Sequence, residues 1–362
     1  MNSLIVSMIF IININFGKNE KYGYFYRAHE KYKTKKAKYQ KNISDTIFMP
    51  YGDIYALDVS SNKKKNLIKE PRKQKFITDN YGIRNNLNKI EDAEIILVGD
   101  SFITGNGTTQ EYIPANILSE ISGKKVASLS YGGLNPAEYQ MIINKYINVI
   151  REDAKIFVFY FEGNDFANIS HKKNKNINNS TGKIIRTFYE KLERKKDKFL
   201  LRVLSEKNYF LRNVRAKSNL MNQKILSTID YNKNSIKYFD IKNKTVGFYY
   251  TDNSDTNEFV TYIFQNKMIL KRIDGFFFIP TKLRVYSDYI DTINYNNNYK
   301  LEYLEDNYSY LNKPVYDLTK VMKLSVSQYL SKSKYLFWRD DTHWNQFGIF
   351  ESMNYINNII KK

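Results

Sequence analysis

Cysteine is absent from the 362 residues. Its absence excludes disulfides, thiolate metal sites and a cysteine nucleophile. It does not place the compartment, because reducing and oxidising environments both tolerate such a chain. Histidine is nearly absent: His29, His171 and His343 are the only three. A three-histidine metal site would need all of them from dissimilar contexts, so a zinc enzyme is not expected. No cofactor is expected. Long apolar runs are also missing. The N-terminal run from Leu4 to Ile12 is shorter than the roughly 20 residues that span a bilayer. It does match the length of a signal-peptide core, about 7–15 residues. No Lys or Arg precedes the run and no small-residue cleavage site follows it clearly. Residues 1–17 are therefore expected to be a signal or membrane anchor, placing the protein in the cell envelope. The alternative is a buried first element in a cytoplasmic protein.

Basic residues are plentiful. The formal net charge is +20, from 57 Lys and Arg against 37 Asp and Glu. A polyanionic partner is one explanation. The other is compositional, since Lys, Asn, Ile and Tyr crowd together here. No nucleic-acid motif accompanies the charge, so no nucleic-acid partner is expected. The Lys-rich stretches 31–41, 62–75 and 191–198 read as solvated faces. With 42% hydrophobic residues the chain can bury a sizeable core.

Residues 18–90 are a basic, aromatic lead-in without clear periodicity. The pattern changes at Glu94. The apolar run 94–98, ending in Gly99, reads as a buried parallel strand. A helix is predicted over 110–121, with Tyr112, Ala115, Leu118 and Ile121 at helical spacing. Strands are predicted at 125–129 and 155–161, and Pro136 opens a helix to about Ile150. This alternation implies right-handed βαβ units and a parallel sheet. Residues 167–270 break the pattern and read as a long insertion, helical around 183–228 and irregular or β-rich later. The sheet resumes at 275–280. A helix near 319–332, a last strand Tyr335–Trp338 and a terminal helix 346–360 follow, the last with Phe347, Phe350, Met353 and Ile356 or Ile360 inward.

Four polar signals stand at strand ends, where open parallel sheets gather their active sites. Gly99-Asp100-Ser101 puts a hydroxyl at a strand-to-helix turn, suited to a nucleophile with its own N–H as an oxyanion donor. An ordinary helix cap is the structural alternative. Tyr131-Gly132-Gly133-Leu134-Asn135-Pro136 allows close backbone approach to a ligand, and Gly163-Asn164-Asp165 offers an amide donor. Either would otherwise be a plain turn. Arg339-Asp340-Asp341-Thr342-His343-Trp344 sets two carboxylates beside one of the three histidines. A carboxylate fixes an imidazole's tautomer and stabilises the imidazolium. By distance along the chain, Asp340 and Asp341 both qualify. The Gly-x-Ser-x-Gly elbow of α/β-hydrolases is missing.

Together these blocks resemble the SGNH (GDSL-like) hydrolase superfamily, whose Ser, Gly, Asn and His blocks map in order onto Ser101, Gly133, Asn164 and His343. Gly132 is a second candidate for the glycine. The resemblance covers about 91–166 and 274–360. The segment Phe76–Asn85 is similar to the stretch preceding the sheet in envelope-associated members. Phe278–Tyr286 and Asp341–Trp344 are similar to the SGNH-like domains of alginate and related polysaccharide O-acetyltransferases. In those relatives the acid lies two residues before the histidine, which selects Asp341; in common SGNH esterases it lies three before, which would select Asp340. The resemblance implies a three-layer α/β/α flavodoxin-like parallel sheet over 91–362, with the insertion at about 167–270. It also implies a catalytic set Ser101, His343 and Asp341, an oxyanion hole of Ser101, Gly133 and Asn164, and no metal.

The expected activity is ester hydrolysis or O-acyl transfer on an acylated envelope polysaccharide. A lipid or small-ester esterase with the same site is one alternative; a non-catalytic glycan-binding or assembly protein is the other. Deleting residues 1–17 is expected to leave a soluble, folded protein that no longer fractionates with membranes or the exterior. Cell fractionation checks this, and unfolding of the deletion variant would instead make the run part of the core.

Overall fold

The computed structural model describes residues 32–34, 39–57, 66–168, 236–249, 259–292 and 298–361. The chain divides into two units, Met1–Phe25 with Asn178–Asp230, and Tyr26–Ile177 with Tyr231–Lys362. All described residues belong to the second. The apolar segment 1–17 and the helix expected around 183–228 lie outside them.

The strands in chain order are β1 (Ser44–Met49), β2 (Arg72–Ile77), β3 (Ile95–Gly99), β4 (Val126–Ser130), β5 (Lys155–Phe161), β6 (Ala167–Asn168), β7 (Ile236–Ile241), β8 (Lys244–Tyr249), β9 (Phe259–Val260), β10 (Ile273–Ile279) and β11 (Val315–Asp317). Five of them form the central sheet in the order β11-β10-β5-β3-β4. Every pair in it is parallel. Numbered within the sheet, the order is 2-1-3-4-5, the flavodoxin-like arrangement.

Alternate residues of each strand face opposite sides, and both sides are apolar. Ile95, Leu97, Phe157, Phe159, Phe277 and Ile279 face one core with the helices Pro114–Ser122, Thr319–Ser331 and Gln346–Ile360. Ile96, Val98, Ile156, Val158, Phe276 and Phe278 face the other, with Pro136–Tyr146 and Tyr299–Ser309. The result is an α/β/α sandwich. Its strands are continuous hydrophobic runs because neither face meets water.

Several sequence-based expectations need correction. Tyr335–Trp338 is not a strand of the sheet. It makes one antiparallel bridge, Phe337 to Trp344, and its backbone bonds go elsewhere. Leu336 N–H donates to the Tyr286 hydroxyl at 2.8 Å, and Tyr335 C=O accepts from the Asn345 amide at 2.7 Å. A short buried apolar run can be a tight loop as readily as a strand when side chains satisfy its backbone. The fifth strand is instead the three-residue edge Val315–Asp317. The helix expected over 110–121 is a 3-10 turn Gln110–Tyr112 followed by Pro114–Ser122, because Pro114 starts a helix but cannot continue one. Tyr112 and Phe350 are 46% and 38% exposed. In the terminal helix Ile349 takes the inward place given to Phe350.

The lead-in is built into the fold. β1 and β2 pair antiparallel, and Met49, Phe76 and Ile83 join the second core. The late part of the insertion is a hairpin, β7 with β8, whose Ile241, Val246 and Phe248 join the first core.

Gly348, in the first turn of the terminal helix, leaves no room for a side chain. A Cβ there would lie 2.3 Å from the Leu336 carbonyl oxygen and 3.0 Å from Trp344 Cβ. Gly348→Ala is expected to destabilise the protein by about 1–3 kcal/mol through overpacking, read as a lowered midpoint of thermal unfolding.

Candidate active site

β3 delivers the serine. Asp100 follows it and caps the short helix Ser101–Thr104, accepting from Phe102 N–H at 2.9 Å. Ser101 is the first residue of that helix and retains 8% exposure. The loop behind it hangs on Arg84. Its buried guanidinium donates to the carbonyls of Gly105 at 2.7 Å, Thr108 at 2.8 Å, Lys75 at 3.0 Å and Thr104 at 3.2 Å. Burial pushes the Arg84 guanidinium down to about 10, against the pull of Tyr39 and Glu111. The stretch Phe76–Asn85 thus fixes the turn that carries the serine.

The histidine arrives on the loop 338–345. His343 Nε2 stands 2.8 Å from Ser101 Oγ, and Nδ1 stands 2.6 Å from Asp341 Oδ1. Trp344 locks the loop to the serine's helix. It is fully buried, its indole N–H donates to Phe102 C=O at 3.2 Å, and its ring meets the Phe102 ring edge-on at 5.2 Å. The two aspartates are thereby told apart. Asp341 takes the imidazole. Asp340 turns away and accepts from Gly52 N–H at 2.8 Å and Glu70 N–H at 2.9 Å.

Residues that sequence reading missed complete the surroundings. Arg72 Nη2 donates to Asp341 Oδ2 at 2.6 Å, and Nη1 to Asp340 Oδ1 at 3.2 Å. Asp53 accepts from Thr342 N–H at 2.8 Å and from its hydroxyl at 2.6 Å, and lies 3.7 Å from His343 Nδ1. Gly52 sits so close that a Cβ would fall 2.4 Å from the Asp340 carbonyl oxygen. Lys282, buried behind the loop, donates to the carbonyls of Gly247 and Trp338 at 2.7 Å and of Arg339 and Asp341 at 3.1 Å. The one available signal was in β2: Lys73 and Lys75 alternate with Arg72, Gln74 and Phe76, which turns an arginine inward.

Electrostatics follow from these contacts. Burial pushes the Asp341 carboxyl up, but the charge of His343, its hydrogen bond and the Arg72 guanidinium outweigh it and hold the carboxyl well below the usual range. Asp341 is therefore an anion throughout the neutral range, as an imidazole's orienter must be. Burial raises Asp340 against the pull of Arg72, and raises Asp100 against hydrogen bonds from Phe102 and Asn164. Burial pushes the Lys282 ammonium down to about 7.

The expected oxyanion donors are placed less uniformly. Asn164 is exposed, and its amide donates to Asp100 Oδ2 at 2.9 Å. Ser101 Oγ lies 3.3 Å from that same oxygen, so Asn164 joins the serine through Asp100. Gly132 N–H donates to the Tyr39 hydroxyl at 3.0 Å, which leaves Gly133 the better candidate of the pair. Gly133 is exposed with a left-handed φ of 83° and makes no hydrogen bond to the serine network. Asp53, Asp341 and His343 offer ligand-type atoms within 4.8 Å of one another. Thr342, Arg72 and His343 itself already donate to those carboxylates, so the donor set is that of a hydrogen-bonded relay. No protein-family model matches the chain, and no curated protein matches it.

Asp341→Asn is expected to lower kcat severely, on the order of 10⁴-fold as for the equivalent change in a serine-protease triad. Asp340→Asn should cost far less. Kinetics of both variants on one activated ester check the assignment; the reverse ranking would move the acid to Asp340.

Proposed function

We propose that the chain is a serine-dependent esterase or O-acyltransferase of the SGNH type, acting on an acylated, for example O-acetylated, polysaccharide of the cell envelope. The observation that carries this reading is the continuous relay from Ser101 Oγ through the His343 ring to Asp341, at 2.8 and 2.6 Å. Its serine and its histidine come from chain positions 242 residues apart, brought together on a sheet whose order matches the flavodoxin-like one. Helix capping does not account for it, because Asp100, not Ser101, caps the helix.

In this mechanism His343 Nε2 takes the hydroxyl proton as Ser101 Oγ attacks the ester carbonyl carbon. Asp341 stabilises the imidazolium so formed. The N–H groups of Ser101 and Gly133 and the second amide hydrogen of Asn164 would hold the oxyanion. The C–O bond to the leaving alcohol breaks, and His343 returns its proton to that oxygen. Water or a sugar hydroxyl then attacks the acyl-serine carbonyl, giving its proton to His343, and His343 passes that proton to Ser101 Oγ as the bond from Oγ to the acyl carbon breaks. Water makes the cycle a hydrolysis; a sugar hydroxyl makes it a transfer.

The polysaccharide substrate rests on the sequence resemblance at Phe278–Tyr286 and Asp341–Trp344, and the envelope location on the apolar segment 1–17 and the resemblance at Phe76–Asn85. Among the described residues no helix is long and apolar enough to cross a membrane. Release of acetate from O-acetylated glycan, compared with turnover of free lipid and small esters, separates the polysaccharide reading from the simple esterase.

A fluorophosphonate probe is expected to label the wild-type protein at Ser101, and Ser101→Ala should abolish labelling and turnover while circular dichroism stays unchanged. Retained wild-type esterase activity in that variant would remove Ser101 from the mechanism. Absence of labelling in the folded wild-type protein would remove the activity.

A further inference from the structure

Arg72 reaches the site from outside the central sheet, at the first position of β2. Its side chain is 6% exposed. Nη2 is spent on Asp341 Oδ2 at 2.6 Å, while Nη1 divides between Asp340 Oδ1 at 3.2 Å and the Glu70 carbonyl at 2.8 Å. The Trp338 ring lies 4.4 Å from the guanidinium carbon, keeping water from that side. The other oxygen of Asp341 accepts from the His343 backbone N–H at 3.1 Å and holds the imidazole at 2.6 Å. One buried cation is therefore shared by two neighbouring carboxylates, only one of which touches His343.

We infer that Arg72 is a positioning residue that tunes the proton affinity of the His343–Asp341 pair, and that Asp340 sets how much of its charge the pair feels. The kinetic side of this inference rests on the esterase reading; the titration of the ring does not. A fixed cation beyond the carboxylate disfavours a proton on the imidazole, and a fixed anion beside that cation cancels part of the effect. Both charges are buried, where screening by water and salt is weak. Other charged groups face the same ring and remain in place. Asp53 lies 3.7 Å from Nδ1. Asp100 stands under Ser101, and Lys282 holds the Asp341 carbonyl. Glu70 directs its carboxylate to Arg339 and gives Arg72 and Asp340 only its backbone. A residue that merely braced the loop would alter the rate at every pH alike. A charge shared in this way moves the titration, and moves it in opposite directions when either partner is neutralised.

With only three histidines in the chain, the ring signals of His343 can be followed by NMR and assigned with His343→Gln. Arg72→Gln is expected to raise the His343 midpoint by about one pH unit, a tenfold change in proton affinity. Asp340→Asn should lower it, and Arg72→Lys should stay with the wild type. The acid limb of the fluorophosphonate labelling rate should follow the same three directions. Midpoints that do not move, or that move the same way in Arg72→Gln and Asp340→Asn, overturn the inference. If Arg72→Gln does not fold, Asp340→Asn against Arg72→Lys decides it: a downward shift supports the charge role and an unmoved midpoint ends it. Opposed NMR shifts in a protein that no probe labels would leave the role of Arg72 standing and remove the esterase reading. Labelling with unmoved midpoints would do the reverse.

Discussion

The candidate site depends on how one loop is held without a strand ladder. Residues 338–345 carry both aspartates and the histidine, yet their backbone pairs with the sheet nowhere. The Lys282 ammonium takes its place, gathering carbonyls from Trp338, Arg339 and Asp341 and from Gly247 of the neighbouring hairpin. An ammonium has three protons and no acceptor, so it suits a place where oxygen acceptors converge, and with four carbonyls in reach at least one proton is shared. The β7–β8 hairpin is thereby tied to the loop through a shared cation as well as through the Gly247 N–H bond to Arg339 C=O at 2.9 Å.

Buried cations recur in this role. Arg84 collects the carbonyls behind the serine, Arg284 pairs with Glu162 where β5 ends, and Lys300 donates to the Glu162 carbonyl at 2.9 Å. Such groups add little net stability, because desolvation offsets their attraction, but removing one partner leaves a buried charge or carbonyl unmatched. They act as geometric fixtures at the carboxyl edge of the sheet. The hydrophobic faces beneath supply the driving force for folding.

The sheet was legible because its strands are apolar on both faces and separated by helical spacing. Ser101 was singled out because it follows a strand of the sheet; His343 was singled out after a run misread as a strand, and Asp341 because of the residues around it. What stayed hidden depends on contacts across the chain. Arg72 meets Asp341 across 269 positions, and Asp53 meets Thr342 across 289. No local period announces such pairs, and the basic lead-in around Arg72 masks an inward arginine among outward lysines. The strand Val315–Asp317 is too short to show a period. Tyr335–Trp338 misled because a buried apolar run fits a loop whose backbone is satisfied by side chains.

The β1–β2 hairpin has a consequence for where this protein can be cut. The four-block resemblance begins near residue 91, and a fragment started there would keep the serine, the histidine and both aspartates. It would lose Gly52, Asp53, Glu70 and Arg72, and with them the donors that receive the two carboxylates. Two adjacent anions would then be left with no cation between them, and the imidazole would have a looser mount. The shortest stretch that preserves the chemistry is longer than the shortest stretch that preserves the signature. A fragment chosen by motif alone would carry every expected residue and lack the surroundings that hold them.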